Sequence, residues 1–230
     1  MSRALRSAFV GVALAGLASV AGAQVCVSTP SFSAGSARLG GSAISEQDHS
    51  GAYAAQLALG TWNDFFAVGN YTHTKNNSGD GQSNGGGAAV GYVYQMGGTS
   101  QVSFCPMVGV QAQKGSTVGR IPFNNHPQNT LDVSAGGSLG WVAASSEDLQ
   151  VIPSIGLFAV HRSYKSTIVM QGTSAPTTTD DFGMFTGTIG FVFDKAWTLS
   201  PLVQVPLSET DGKVAYGLSL SYNFNLPKIF

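Results

Sequence analysis

The sequence has few charged residues and, beyond its first two dozen positions, no long apolar run. Asp, Glu, Lys and Arg make up 10% of the chain, whereas about 25% is usual for a soluble domain. A water-soluble surface ordinarily carries more charge than this. A membrane-spanning helix needs roughly 20 apolar residues, and no stretch after residue 24 approaches that length. If the chain enters a membrane, a closed β-barrel is therefore the remaining arrangement for its backbone.

Residue clusters that would bind a metal, a cofactor or nucleic acid are also missing. The four histidines, His49, His73, His126 and His161, lie on separate segments. Residues 75–86 are rich in oxygen ligands but lack the Glu that closes an EF-hand calcium loop. No basic stripe marks a nucleic-acid surface. We therefore expect no metal, no cofactor and no nucleic-acid partner.

The first two dozen residues have the pattern of a cleaved secretion signal. Two arginines precede an uncharged apolar run, which ends on the small residues of Ala21-Gly22-Ala23. A signal peptidase needs small side chains at the two outer positions of such a triplet. We predict a signal peptide over residues 1–23 and a mature chain that begins at Gln24. Cleavage leaves nine basic and twelve acidic residues, which is a formal net charge near −3.

In the mature chain, apolar and small polar residues alternate with a period of two. The clearest segment is the last, where Tyr216, Leu218, Leu220, Tyr222 and Phe224 alternate with glycine, serine and asparagine. Such alternation predicts β-strands with one apolar and one polar face. Strong segments also cover residues 88–96, 102–110, 131–141, 151–159, 185–193 and 197–205, and weaker ones cover 31–44, 51–60 and 63–73. The prediction is an all-β chain of ten strands, with eight as the alternative.

Short and long connections take turns along these strands. Short turns are predicted near residues 60–63, 97–100, 145–148 and 194–196. Longer polar links are predicted over residues 45–50, 74–86, 114–130, 163–180 and 208–212. Ten strands place both termini and all short turns at one end and all long links at the other. This is the pattern of a single antiparallel, up-and-down transmembrane barrel with periplasmic turns and extracellular loops.

Aromatic residues and strand parity support the same arrangement. Trp62, Trp141 and Trp197 all fall at the short-turn end, where a girdle of aromatic rings would meet the membrane interface. Parity directs a set of small polar side chains into the lumen, namely Ser103, Gln111, Gln113, Ser134, Ser138, Gln204, Ser219, Ser221 and Asn223. Such a lining is nearly uncharged and could hold a narrow column of water.

With this pattern the chain resembles small bacterial outer-membrane β-barrel proteins over residues 31–230. Its last strand, from Tyr216 to Phe224, resembles the C-terminal β-signal that the barrel-assembly machinery of that group recognises. The resemblance implies the cell envelope of a Gram-negative-type bacterium, a periplasmic tail over residues 24–30, and a monomer among outer-membrane lipids and lipopolysaccharide. A secreted β-sandwich shares the strands and turns but needs more surface charge.

Cys26 and Cys105 are the only cysteines, and a secreted chain is in a compartment that permits disulfides. Parity directs Cys105 into the lumen near a short turn, and Cys26 lies in the tail at the same end. A disulfide between them would tether the tail inside the barrel. Two unpaired thiols are the alternative.

The sharpest indication of catalysis is the pair His161 and Ser163, which a strand would place on one face. That face looks at lipid, and a histidine base beside a serine could attack an acyl ester. The pair resembles the catalytic His-x-Ser of outer-membrane lipid A deacylases and phospholipases. Those families usually continue with Asn where Tyr164 stands here, and the sequence identifies no acidic partner.

We therefore expect a protein that is not an enzyme. The expected role is a structural one or that of a narrow, porin-like passive channel. A lipid-acting hydrolase that uses His161 and Ser163 is the first alternative. Adhesion or receptor binding through the long links over residues 114–130 and 163–180 is the second.

Overall fold

A computed structural model of the chain describes residues 35–46, 50–60, 64–76, 82–96, 102–116, 128–166, 177–207 and 214–225. The predicted signal peptide, the tail over residues 24–30, Cys26 and Trp62 lie outside these ranges. None of the described residues belongs to a helix that could cross a bilayer.

The described residues form a succession of antiparallel strands. In chain order these are β1 (Ser36–Glu46), β2 (Ser50–Gly60), β3 (Phe65–Asn76), β4 (Gln82–Tyr92), β5 (Tyr94–Met96), β6 (Val102–Ser116), β7 (Gln128–Trp141), β8 (Ala144–Ser145), β9 (Leu149–Ser166), β10 (Thr177–Phe193), β11 (Trp197–Pro206) and β12 (Ala215–Asn225). β5 continues β4 along β6, and β8 continues β7 along β9. The twelve segments of the described chain therefore make ten barrel strands.

The ten strands close into a barrel. Each pairs with its neighbours in sequence, and the ring closes where β1 meets β12. Along that seam the register runs unbroken from Ser36, opposite Asn225, to Glu46, opposite Ala215. The predicted ten-stranded antiparallel barrel is confirmed, and the eight-stranded alternative is wrong. We call the end that holds the connections after β2, β5, β8 and β10 the short-turn end, and the opposite end the loop end.

Strands β9 and β10 extend further toward the loop end than the sequence predicted. β9 continues to Ser166 and β10 begins at Thr177, so the link predicted over residues 163–180 is shorter. Thr177 already lies opposite Lys165 in the antiparallel register. Backbone pairing does not require apolar side chains, and the polar residues at these strand ends give no amphipathic signal.

Side chains alternate between a buried inward face and an exposed outward face. On β12, Leu218 and Leu220 are 50% and 51% exposed, whereas Ser219 and Ser221 are 5% and 2% exposed. The polar residues that parity directed into the lumen all lie on the inward face of their strands. A soluble barrel buries apolar side chains and exposes polar ones. This barrel has the reverse arrangement on its outer wall, as membrane barrels do.

Apolar inward side chains are buried at the short-turn end of the lumen. Phe66, Val93 and Cys105 form one buried cluster there, and Ile152 and Val192 form a second. All five are at most 3% exposed. Strand alternation predicted the direction of inward side chains but not this packing, so the expectation of a purely small, polar lining is wrong at this end. Toward the loop end, inward residues such as Gln111 and Gln204 are partly exposed.

Candidate functional site

His161 and Ser163 both lie on the outward face of β9 near the loop end. Antiparallel register places Val133 of β7 and Asp181 of β10 on either side of His161. Leu131 and Thr179 flank Ser163 in the same way. The sequence predicted that both side chains of this pair lie on the outward face of one strand, and the structure agrees.

The acidic partner of His161 is Asp181. The Nδ1 atom of His161 is 2.6 Å from Oδ1 of Asp181, and both side chains are more than half exposed. An ionised carboxylate only accepts hydrogen bonds, so the proton lies on Nδ1 and Nε2 is the basic ring nitrogen. This is the tautomer that a general base needs.

Sequence reasoning missed Asp181 as the partner because it treated residues 163–180 as a loop. The two residues are 20 positions apart, and only the strand register brings them together. The sequence did contain a signal for this contact. If the alternation of β9 and β10 is continued to the strand ends, Asp181 faces outward on the strand next to His161. The polar composition of the strand ends concealed it.

The remaining parts of a hydrolytic site are incomplete. Between the described side chains of His161 and Ser163 the structure shows no hydrogen bond, although such contacts often tighten only when substrate binds. β9 is paired on both sides, with β7 and with β10. Its backbone N–H groups are therefore used in the sheet, and the strand offers no pair of free donors for an oxyanion.

A shallow apolar groove runs along the outer wall next to His161 and Asp181. Its floor is a row of small residues, because Ala135, Ala159 and Gly183 lie opposite one another on β7, β9 and β10. Leu157 and Leu207 line its sides. A groove of this shape and polarity can accept an alkyl chain.

On the inward face of the same strands a charged pair lies near the mouth of the lumen. Arg162 donates from Nε to Oδ1 of Asp132 at 2.9 Å and from Nη2 to Oδ2 at 2.8 Å. Its guanidinium also lies over the ring of Phe182, 4.9 Å from the centroid. Asp180 faces Arg162 across the β9–β10 pair. The sequence indicated a nearly uncharged lumen, and this expectation is wrong for Arg162 and Asp132.

A second inward cation lies at the short-turn end. Arg38 is 1% exposed, and its Nε donates to Oδ1 of Asn223 at 2.6 Å across the β1–β12 seam. The lumen at this end is therefore polar along the β1–β12 seam and apolar near Phe66. The alternation of β1 alone does not reveal this burial.

Cys105 is fully buried in the apolar cluster at the short-turn end and is disulfide-bonded. Cys26, the only other cysteine, lies outside the described residues. The tether that a bridge between them would make stays a prediction.

Aromatic side chains gather on the outer wall at the short-turn end. Trp197 is exposed, and its ring lies 4.8 Å from that of Tyr222, which in turn stacks on Phe224. Trp141 is half-buried on the outward face of β7. The outward residues of β12 that resemble an assembly signal, Tyr216, Leu218, Leu220, Tyr222 and Phe224, are all exposed. The described residues contain no group of side chains that could hold a metal ion.

The chain has no match among protein-family models or curated proteins. It is similar to the N-terminal β-barrel domain of OprF from Pseudomonas aeruginosa, with 10% identity, a TM-score of 0.39, and 83% of this chain and 98% of that chain covered. It is also similar to the KdgM porin in complex with disordered oligogalacturonate, with 13% identity, a TM-score of 0.41, and 82% and 99% covered. It is similar as well to Ail, the attachment invasion locus protein of Yersinia pestis, with 9% identity, a TM-score of 0.33, and 84% of this chain and 100% of that chain covered. Likenesses this remote carry no argument about function.

Proposed function

We propose that the chain is a monomeric integral protein of a bacterial outer membrane whose main role is structural, and that it is not an enzyme. The barrel-assembly machinery would insert it through its last strand. Outer-membrane lipids and lipopolysaccharide would then surround its outer wall.

The outward belt of apolar side chains carries this proposal. Each of the ten barrel strands contributes at least one large apolar side chain that is 39% or more exposed. Soluble monomers rarely expose a continuous apolar surface of such extent. In a lipid environment these apolar side chains are not exposed to water. Only a closed barrel satisfies the hydrogen bonds of the strand backbones there.

Packing of the lumen favours a structural role over a passive channel. A channel needs a continuous path for water, and the buried side chains of Phe66, Val93, Ile152 and Val192 occupy the short-turn end. The partly exposed inward residues lie toward the loop end.

Conductance of the purified, refolded protein in planar bilayers tests this choice. We expect no regular open-channel steps, because the short-turn end is packed. Regular steps of uniform size would instead support the narrow passive channel that the sequence also allowed.

A lipid-acting hydrolase is the second candidate, and the hydrogen bond between His161 and Asp181 favours it. The bond orients the imidazole as a general base would be oriented, and the apolar groove beside it could hold an acyl chain. The absence of a Ser163 contact among the described side chains, and of free backbone donors on β9, weighs against it.

Release of fatty acid from lipid A and from phospholipid distinguishes the two candidates. The structural role predicts no release that depends on Ser163. Release that disappears in Ser163→Ala and in His161→Ala, and falls in Asp181→Asn, would establish the hydrolase. Thr179→Ala, on the adjacent strand opposite Ser163, is the matched control.

A further inference from the structure

A polar, cationic patch lies on the outer wall of β3, β4 and β6, away from the His161 site. We define this cationic face by Tyr71, His73, Lys75, Asn84 and Lys114. All five are on the outward face of their strands at the loop end. Asn84 lies opposite His73 on one side and Lys114 on the other, so that three strands contribute to one row.

Hydrogen bonds fix the middle of the cationic face. Oδ1 of Asn84 accepts from the hydroxyl of Tyr71 at 2.8 Å, and Nδ1 of His73 lies 2.9 Å from the same oxygen. Because this oxygen can only accept, Nδ1 of His73 carries the proton. The amide nitrogen of Asn84 has no hydrogen-bond partner among the described residues, so its two N–H donors can contact a ligand. Nε2 of His73 is directed away from Asn84.

The charge of the cationic face is uncompensated within its own wall. The described residues of β2, β3, β4 and β6 include no aspartate and no glutamate. On the opposite wall, by contrast, the outward carboxylate of Asp181 pairs with His161. The cationic face therefore offers cations and hydrogen-bond donors to an anion.

The wall directly below the cationic face is apolar. Val90 on β4 and Val108 and Val110 on β6 are all exposed toward the short-turn end. A ligand that contacts both regions must join an anionic head to alkyl chains, which is the chemistry of a phosphorylated lipid. Interfacial tyrosines such as Tyr71 favour the depth of lipid headgroups.

The spacing of the two lysines suits a headgroup with two phosphates. Lys75 and Lys114 are on strands separated by β4, and two inter-strand spacings amount to about 10 Å. The two ammonium groups can therefore contact two separate phosphates of one headgroup. A sugar core that carries two phosphates fits this span.

We propose that the cationic face binds the phosphorylated headgroup of a glycolipid in the outer leaflet. Lys75 and Lys114 contact the phosphates, and the amide of Asn84 donates to the head between them. The lipid chains lie along the apolar wall below. This inference rests on the proposed location in the outer membrane.

Titration of the purified, refolded full chain with lipids, followed by native mass spectrometry, tests the proposal. The probes are bisphosphorylated lipid A, its dephosphorylated form and phosphatidylglycerol. We expect preference for bisphosphorylated lipid A, and roughly ten- to thirtyfold weaker binding by the Lys75→Gln/Lys114→Gln variant, since each lysine contributes one favourable contact with an anionic surface. Lys165→Gln removes an outward lysine at the same end of β9, outside the cationic face, and we expect it to bind as the wild type does.

Three outcomes would overturn the proposal. They are unchanged lipid A binding by the double variant, equal binding of dephosphorylated lipid A, and equal binding of phosphatidylglycerol, which would show general attraction to anionic lipid. A heat-dependent shift on gels confirms that each variant is folded. If the wild-type chain is absent from the outer membrane, the proposed function fails; if it is present and only the lipid preference is missing, this inference alone fails.

Discussion

Neighbouring residues of one strand meet opposite surroundings in this barrel. On β6, Val110 is 46% exposed on the outer wall, whereas Gln111 faces the lumen and is only partly exposed. We expect Val110→Arg to reduce the free energy of unfolding by about 2–4 kcal/mol, because the charge would enter the apolar layer of the membrane. Gln111→Arg should cost much less, since the lumen at this depth admits water and Asp132 lies opposite.

Urea unfolding in lipid vesicles measures both costs. Equal losses for the two variants would mean that the two faces of β6 have been assigned wrongly. The pair is well matched because the variants introduce the same side chain one residue apart.

The ion pair between Arg162 and Asp132 is predicted to stabilise the mouth of the lumen. Arg162→Met would leave Asp132 on one side and Asp180 on the other without their shared cation. Both members are roughly three-quarters buried, and removing one partner of such a pair should cost about 1–3 kcal/mol. The double variant Arg162→Met/Asp132→Asn should recover part of that loss.

Equilibrium unfolding of the single and double variants, monitored by circular dichroism, checks this expectation. If the double variant is as unstable as the sum of its two single variants, Arg162 and Asp132 do not interact energetically.

For single residues, the sequence predicted well whether a side chain faces the lumen or the outer wall. It predicted poorly which side chains contact each other. The parity of β12 correctly turned Ser219 inward and Leu220 outward, because alternation is a local property of a strand. It could not pair His161 with Asp181, since that contact depends on the register between β9 and β10. Register is set by the turns and by the packing of the whole sheet.

At the scale of the strands, glycines make room for an aromatic ring in the lumen. Phe158 lies opposite Gly136 in the β7–β9 register. A methyl group at Gly136 would lie 2.7 Å from both Cα and Cδ1 of Phe158, and one at Gly156 would lie 2.8 Å from its Cε2. The ring therefore occupies the space that side chains at these positions would fill.

We expect Gly136→Ala to destabilise the barrel by about 1–3 kcal/mol, because the added methyl overlaps backbone as well as the ring. Gly69→Ala is the control, since nothing lies within 4 Å of a methyl group there. Thermal unfolding of both variants in detergent provides the comparison. If Gly69→Ala destabilises the barrel as much as Gly136→Ala does, the cost comes from replacing any strand glycine and not from the contact with Phe158.

The number of strands was predictable, and their lengths were less so. Alternating short and long connections fixed an even count, and the apolar stripes located the part of each strand within the outer belt. The sequence did not predict the loop ends of β9 and β10, because Ser163, Asp180 and their neighbours are polar on both faces of the strands. Only backbone pairing with the adjacent strand extends them.

At the scale of the whole molecule, the packed short-turn end was the main feature that the sequence did not predict. Phe66 belongs to a segment whose alternation is weak, and Val93 lies on the inward face of a strong segment whose signal comes from its outward residues, so neither was expected to fill the lumen. Alternation gives the direction of a side chain but not what lies across the barrel from it.

The predicted bridge between Cys26 and Cys105 would join the tail to this packed end. We expect that alkylation of the unfolded protein without reductant modifies neither cysteine, and that mapping joins the two cysteine peptides. Reduction before alkylation should modify both. Modification of both thiols without reductant would contradict the tether.

We propose that the outer wall of this barrel faces the lipid of an outer membrane. The most direct measurement is separation of inner and outer membranes from cells that express the full chain, followed by a urea wash and intact-mass analysis of the protein. We expect the chain to remain in the urea-resistant outer-membrane fraction, with the mass of a protein that begins at Gln24. A mature chain recovered in the soluble periplasm or the medium would contradict it.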